Sequence, residues 1–340
     1  MKTILINGIH TPLGAALGMA LSAPEDVRLI GIASQVPSVP YGNAELLAAQ
    51  LNGKQLCTLL QAEGVETLVH LDVLGDDQLP MSRESALRRN VLGTMEVLGA
   101  CATAGVRRVV VRSHSFVYGA NPSNPALIDE RWPVSQSGLS GVIRDYAEVD
   151  TFVGEFAQHQ PQMELVTLRC APLSSGTLAR FLHQGNPRTV FGFDPRVQLL
   201  ALDDAVHAFL LATQTSQHGF FNIAADPLPL SQAIRLAGHQ PLPLPEPFID
   251  LSGLVGAARL LLGDFPFDRS FLKFSCVVDT VRARSELGWE ASVSSADAIG
   301  LAVGGPGYGD EFTRAELALH AFLQKKSEVR LQDSEERNNR

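Results

Sequence analysis

The sequence predicts an α/β fold: a doubly wound parallel sheet with helices on both faces, and a small C-terminal α+β lobe. Three observations predict it. Short apolar runs recur at 4–6, 27–33, 67–71, 106–111, 163–170 and 220–224. Runs of this kind read as strands buried on both faces, as parallel sheets require. Segments of helical periodicity separate them, which is the pattern of successive crossover units. The chain has 340 residues, 45% of them hydrophobic, enough for one large domain or two intimate ones.

The first unit is the sharpest. Ile4-Leu5-Ile6 is followed by Asn7-Gly8 and a short turn, Ile9-His10-Thr11. Thr11 is suited to cap the next helix, and Pro12 suits its first position, where an N–H is not needed. Leu13, Leu17 and Leu21 recur every four residues and lay one face on the sheet. Gly14 and Gly18 allow close backbone approach. A strand, a tight turn and a helix N-terminus together attract a phosphate, because unpaired N–H groups and the helix dipole both favour an anion.

Composition excludes other classes. The net charge is −9 with no basic run in the body, which argues against nucleic-acid binding. Cys57, Cys101, Cys170 and Cys276 are widely spaced, form no CxxC pair and offer no metal-ligand pattern. They read as buried thiols of a reducing compartment. The chain enters a strand at once, without a charged leader and apolar core, so a cytoplasmic protein is expected.

The elements follow in order. Val27–Ala33 reads as the second strand, 37–40 as a loop, 44–51 as a strand or short helix, and 56–63 as a helix ended by Gly64. Thr67 to Leu71 is the next buried strand. Its His70 reads as a core histidine with satisfied hydrogen bonds. Arg89-Asn90-Val91-Leu92-Gly93-Thr94 opens a helix through Ala104, closed by Gly105, and Val106 to Val111 is a strongly apolar strand.

Asn7-Gly8, Gly14, the strand ending in His70-Leu71-Asp72, and Asn90-Val91-Leu92-Gly93-Thr94 together resemble the extended, epimerase/dehydratase-like branch of the short-chain dehydrogenase/reductase superfamily. The resemblance implies a Rossmann domain that binds NAD or NADP. It implies cofactor contacts from Gly8, His10, Thr11, Leu13 and Gly14 in the first turn. Thr11 stands where the family has its middle glycine, so its Cβ crowds the place of a pyrophosphate. Ala33 stands where an acidic residue usually holds the adenosine ribose; Ser34 and Gln35 follow it, and neither cofactor is favoured. Gln50 lies where the family contacts the adenine. Leu71 and Asp72 fall at the end of the fourth strand, and the Asp72 carboxylate is expected to repel a pyrophosphate.

The catalytic segments depart from the family. Arg112-Ser113-His114-Ser115-Phe116-Val117-Tyr118-Gly119 resembles Ser-Ser-Ser-Ala-x-Val-Tyr-Gly, with His114 at the place of the catalytic Ser or Thr. Ser113 and Ser115 flank it, but neighbours on a strand face opposite ways and need a bulge to substitute. The family then needs Tyr-x-x-x-Lys on a helix, where the ammonium lowers the phenol from its usual value of about 10 and the phenol moves a proton. Val142-Ile143-Arg144-Asp145-Tyr146-Ala147-Glu148-Val149-Asp150 matches that segment, with Val142 at the Tyr position and Tyr146 at the Lys position. The candidate catalytic residues are therefore His114, Tyr146 and Ser113, and Tyr146 is also a candidate for the nicotinamide ribose. Tyr118 reads as a packing residue.

In the second half, Met163 to Cys170 is a sixth strand and Thr177 to His183 a short helix. Residues 191–196 form a hairpin-like turn, and Gln198 to Leu202 a strand. Asp203 is an N-cap candidate for the following helix. Phe220 to Ala224 is the last parallel strand. Phe248 to Leu262 is almost wholly apolar but too short to span a bilayer; it reads as a lid helix, with membrane-surface contact or cover for an apolar substrate as alternatives. Val278 to Trp289 resembles the family segment ending in Leu-Gly-Trp. Phe312 to Leu323 is a final helix.

The expected organisation is a dinucleotide-binding domain at 1–171, rejoined by 198–225. A substrate lobe is formed by 172–197 and 226–324, and 325–340 is a disordered tail. The partner expected is a small molecule in the cleft; the family suggests a homodimer. Two functions remain open. One is an NAD(P)-binding sensor or scaffold with its Ser-Tyr-Lys set replaced. The other is an oxidoreductase or epimerase with a rewired His/Tyr site, acting on a sugar or lipid-like substrate.

Overall fold

Seven strands stack in parallel, the inner ones apolar and buried on both faces. A computed structural model describes residues 2–304, apart from 25, 35, 38, 74–81, 184, 186 and 247–264. Gln35, the apolar 248–262 segment, the 312–323 helix and the 325–340 tail lie outside the described residues.

The first half runs β1 (Lys2–Asn7), α1 (Pro12–Leu21), β2 (Val27–Ala33), β3 (Glu45–Ala48), α2 (Gly53–Ala62) and β4 (Thr67–His70). Next come α3 (Arg83–Leu87), a π-helical turn at Arg88–Leu92, α4 (Gly93–Ala104) and β5 (Arg108–His114). A 3-10 turn at Ser115–Tyr118, α5 (Gly141–His159), β6 (Glu164–Cys170) and α6 (Thr177–His183) follow. The second half adds β7 (Arg188–Val190), β8 (Arg196–Val197), α7 (Leu202–Gln214), β9 (Gly219–Ile223), β10 (Leu228–Pro229), α8 (Leu230–Leu236), β11 (Leu242–Leu244) and α9 (Ser295–Gly304). The main sheet has the order β3-β2-β1-β4-β5-β6-β9. The order reverses beside β1, so the ends of β1, β2 and β4 form the crevice where such folds bind ligands.

One core, with Ile4, Ile6, Leu13 and Leu17, lies under α1 and α7. A second, with Leu5, Leu68, Val109 and Val149, lies under α2, α4 and α5. A third cluster, including Phe181, Leu230 and Ile299, holds the small lobe together. No helix among the described residues is long and apolar enough to cross a membrane.

Several expectations need correction. The helix expected from Arg89 begins at Arg83, capped by Ser82, whose Oγ accepts from Ser85 N at 3.2 Å. The 191–196 segment is no hairpin: β7 pairs in parallel with β11, and β8 antiparallel with β10. Of the strand expected at 198–202 only an isolated bridge between Leu173 and Leu200 forms, after β8 has ended at Val197. Asp203 is not an N-cap. Ala201 holds that position, and Asp203 and Asp204 fall in the first turn, where carboxylates favour the helix dipole. Asp204 is buried and accepts from Ser292 N, Ser292 Oγ and Val293 N. Trp289 Nε1 donates to Asp204 O at 3.0 Å. That cluster ties the Leu-Gly-Trp segment to the first turn of α7.

Candidate active site

Two groups of residues meet at the carboxyl ends of the strands. The first is the turn after β1. Gly8 has φ +98°, and a Cβ there would lie 2.5 Å from Asp72 N, so only glycine lets the turn pass under β4. Thr11 caps α1: its Oγ1 accepts from Gly14 N at 3.0 Å and donates to Gly8 O at 2.8 Å. The Thr11 side chain is folded inward and buried, so its hydroxyl is committed to the cap. Gly14 has Gly8 O 2.2 Å from where a Cβ would stand. Gly14 N is taken by Thr11 and Pro12 has no N–H, so the backbone amide of Leu13 is the first-turn donor left to face an anion.

His10 lies across this turn. Its Nε2 is 3.1 Å from Ser34 Oγ and 3.2 Å from Arg89 Nη2. A guanidinium only donates, so Nε2 accepts and the proton sits on Nδ1, which is buried without a partner. Burial, with Arg89 beside it, lowers the His10 pKa against the pull of Asp72. Arg89 also donates through Nε and Nη2 to Asp72 Oδ1. This corrects the expected repulsion by Asp72, since its charge is matched by a guanidinium beside it. Sequence reasoning missed Arg89. The signal was its place one residue before Asn90, on the helix that faces the end of β4.

The other cofactor candidates are placed unequally. Ala33 is buried at the end of β2, and the exposed Ser34 meets His10 instead. Gln50 is exposed beyond β3. Leu71 is buried, and its N donates to Asn7 O at 2.8 Å. His70 accepts from Asn7 Nδ2 at Nδ1 and reaches Thr94 Oγ1 at 3.0 Å through Nε2. Burial lowers its pKa to about 4. It is a satisfied core histidine.

The second group lies at the end of β5. His114 is buried, and its Nδ1 accepts from Phe116 N at 3.0 Å. The proton of the neutral ring is thus on Nε2, which is buried with no hydrogen-bond partner. Burial, and then Arg112, push its pKa down to about 3. Neutral His114 is a fixed N–H donor, not a group that titrates near neutrality. The ring of Tyr146 is 5.8 Å away, that of Phe116 4.9 Å and that of Phe267 6.1 Å. Phe116 is stacked on Phe271 at 4.2 Å, which fixes the turn beneath His114.

Ser113 is not brought to this group. By strand alternation it points away from His114, and its Oγ donates to Asp150 Oδ1, one turn along α5 from Tyr146. Asp150 also pairs with Arg169, which donates to Tyr118 Oη at 2.6 Å. Tyr118 Oη donates to Asn222 Oδ1 at 2.8 Å, and burial holds its pKa up at about 12. Ser113 and Tyr118 belong to one buried hydrogen-bonded network with Asp150, Arg169 and Asn222. Val142 is half-buried against the same core as Tyr146. A cavity of about 300 Å³ opens elsewhere; Asn121, Arg196 and Lys273 line it, not His114 or Tyr146.

Residues 4–224 match the model of the NAD dependent epimerase/dehydratase family. An uncharacterised protein of Mycobacterium tuberculosis (strain ATCC 25618 / H37Rv) is 32% identical over 315 residues, covering 88% of this chain and 82% of that one. The 3-diazoavenalumate denitrifying reductase of a Streptomyces species is 26% identical over 310 residues, covering 84% and 95%. The UDP-glucose 4-epimerase of Thermotoga maritima, solved with UDP-glucose, superposes with a TM-score of 0.68 at 16% identity, covering 89% and 98%.

Proposed function

The chain belongs to the NAD dependent epimerase/dehydratase family, and from that premise we propose that it is an NAD(H)-dependent oxidoreductase whose site polarises its substrate with a fixed imidazole N–H. The observation that carries this reading is the buried, unpartnered Nε2 of His114, beside Tyr146 at the strand ends. An orphaned buried donor costs about 1–3 kcal/mol unless something accepts from it, so its retention points to a ligand atom.

The residues after β1 fit a dinucleotide. Gly8 packs on the backbone of Asp72, Arg89 bridges Asp72 and His10, and the His10 Nδ1 proton is unclaimed beside them. NAD(H), when bound, supplies a two-electron hydride donor or acceptor. Leu13 and Arg89 would hold its pyrophosphate, and Ser34 with His10 the adenosine ribose. At the other end, His114 Nε2–H stabilises charge that develops on a substrate oxygen or nitrogen. Removing one such donor from a dry site typically costs on the order of 10²–10³ in rate. Tyr146 flanks that position with its ring. The chemistry favoured is hydride transfer that draws its proton from solvent, because Val142 stands where the family has its proton-transfer tyrosine. One relative is a reductase by name, which supports this direction.

The experiment is a titration with NADH and NADPH followed by nicotinamide fluorescence. Turnover of a carbonyl panel by the native protein and His114→Leu then follows. Micromolar binding and a loss of turnover of about a hundredfold in His114→Leu are expected. Unchanged turnover sinks the role of His114. The second reading, a non-catalytic NAD sensor or scaffold, draws on Val142 and Tyr146 at the acid/base positions. Tight NADH binding with no turnover on any substrate favours it.

A further inference from the structure

The walls around His114 say what kind of molecule the site takes. Phe267 comes from the small lobe and lies over the imidazole, its ring 6.1 Å from His114 and 5.0 Å, edge-on, from Phe116. Phe265 continues the row, T-shaped against Phe267 at 5.8 Å. Both are only half-buried, whereas Phe116 is buried. The guanidinium groups held by α5 are already committed: Arg83 to Asp145 and Arg169 to Asp150.

The rings packed around the orphaned donor are therefore those of Phe116, Tyr146 and Phe267, and Arg112 is the charge that acts on it. A sugar hydroxyl set against such walls loses its water partners without replacement, at about 1–3 kcal/mol for each group by protein mutational data. A planar ring meets the opposite outcome. It stacks offset or edge-on against half-exposed phenyl rings, gaining beyond its area burial.

We propose that the substrate is an aromatic or conjugated planar molecule carrying one hydrogen-bond acceptor, seated against Phe267 with that acceptor on His114 Nε2. This rests on the reading of His114 as a substrate-polarising donor. It separates this chain from nucleotide sugars, the ligand class named for the structurally similar epimerase.

The test uses binding, not turnover. Full-length protein saturated with NAD⁺ is titrated calorimetrically with 4-(dimethylamino)benzaldehyde and with UDP-glucose; an oxidised cofactor with an aldehyde forms a dead-end complex of a reductase. The aldehyde is also titrated without cofactor, so that loss of NAD⁺ binding is seen separately. The aldehyde is expected to bind, with its absorbance band shifted to the red by the hydrogen bond, and UDP-glucose to give no heat. Phe267→Ala is expected to weaken the aldehyde at least tenfold, and His114→Leu to abolish the band shift. Phe267→Leu keeps the volume without the ring, and is expected to weaken binding similarly if Phe267→Ala fails to fold. Binding of UDP-glucose, no binding of the aldehyde, or indifference to both Phe267 variants overturns the assignment. The hydride-transfer reading stands or falls apart from it, on NADH binding and consumption.

Discussion

Arg89 donates twice to the same oxygen of Asp72, across the mouth of the turn that follows β1. The pair converts a carboxylate that would repel a pyrophosphate into a neutral unit with one guanidinium edge beside the anion site. At an effective dielectric of about 20, an uncompensated charge a few ångströms from a phosphate is worth a few kcal/mol. Arg89→Ala is therefore expected to weaken NADH binding by about tenfold or more, equivalent to about 1.4 kcal/mol or more. Asp72→Ala is expected to leave it equal or tighter, and the double variant to return within about threefold of the native protein. Nicotinamide fluorescence titration measures all three. Additive losses in the double variant contradict the compensation.

Gly14 tests the closeness of the turn. A Cβ there would stand 2.2 Å from Gly8 O and 2.9 Å from Thr11 Oγ1. Neither atom can yield without breaking the Thr11 cap. Gly14→Ala is expected to cost at least about 2 kcal/mol, by overpacking plus the lost cap. Gly99 lies mid-helix with open space around it, so Gly99→Ala is expected to be neutral or stabilising, by up to about 1 kcal/mol. Urea unfolding of both variants decides.

The sheet was legible because its strands are short apolar runs and its first helix carries local signals, Thr11 and Pro12. Both act where the sequence places them. What escaped was non-local or unmarked. Arg89 reaches Asp72 from a π-helical turn, whose extra residue shifts the helical phase that periodicity relies on. The start of α7 carries no polar cap, so Asp203 attracted the assignment that belongs to Ala201. His114 was visible as a substitution. Its role was not, because the tautomer is set by Phe116 N and the unpaired Nε2 by burial, and neither is written in residue spacing.

Ser113 separates structure from chemistry. Its hydroxyl serves Asp150, so Ser113→Ala is expected to cost about 1–2 kcal/mol of stability and to leave NADH binding unchanged. Asp150→Ala strands Arg169 in the interior, and is expected to cost about 3–5 kcal/mol. Thermal and urea unfolding measure both. A Ser113→Ala variant that stays stable but loses NADH-dependent turnover would return Ser113 to the reacting surface.

Acid stability tests the two buried imidazoles. The pKa values of His114, about 3, and His70, about 4, lie below the ordinary value of about 6.5 that both regain on unfolding. The folded state therefore binds fewer protons, and stability that is full above about pH 6.5 is lost as pH falls. Between about pH 6 and pH 4, each histidine adds up to about 1.4 kcal/mol per pH unit to that slope. His70→Gln and His114→Gln are each expected to remove about one proton from the pH dependence of urea unfolding. Since His114 stays neutral throughout this window, turnover should show no inflection that belongs to it, and His114→Gln, which retains an N–H donor, should keep more activity than His114→Leu. Slopes unchanged in both variants would mean that the imidazoles titrate like exposed ones, and the fixed Nε2–H donor would have to be abandoned.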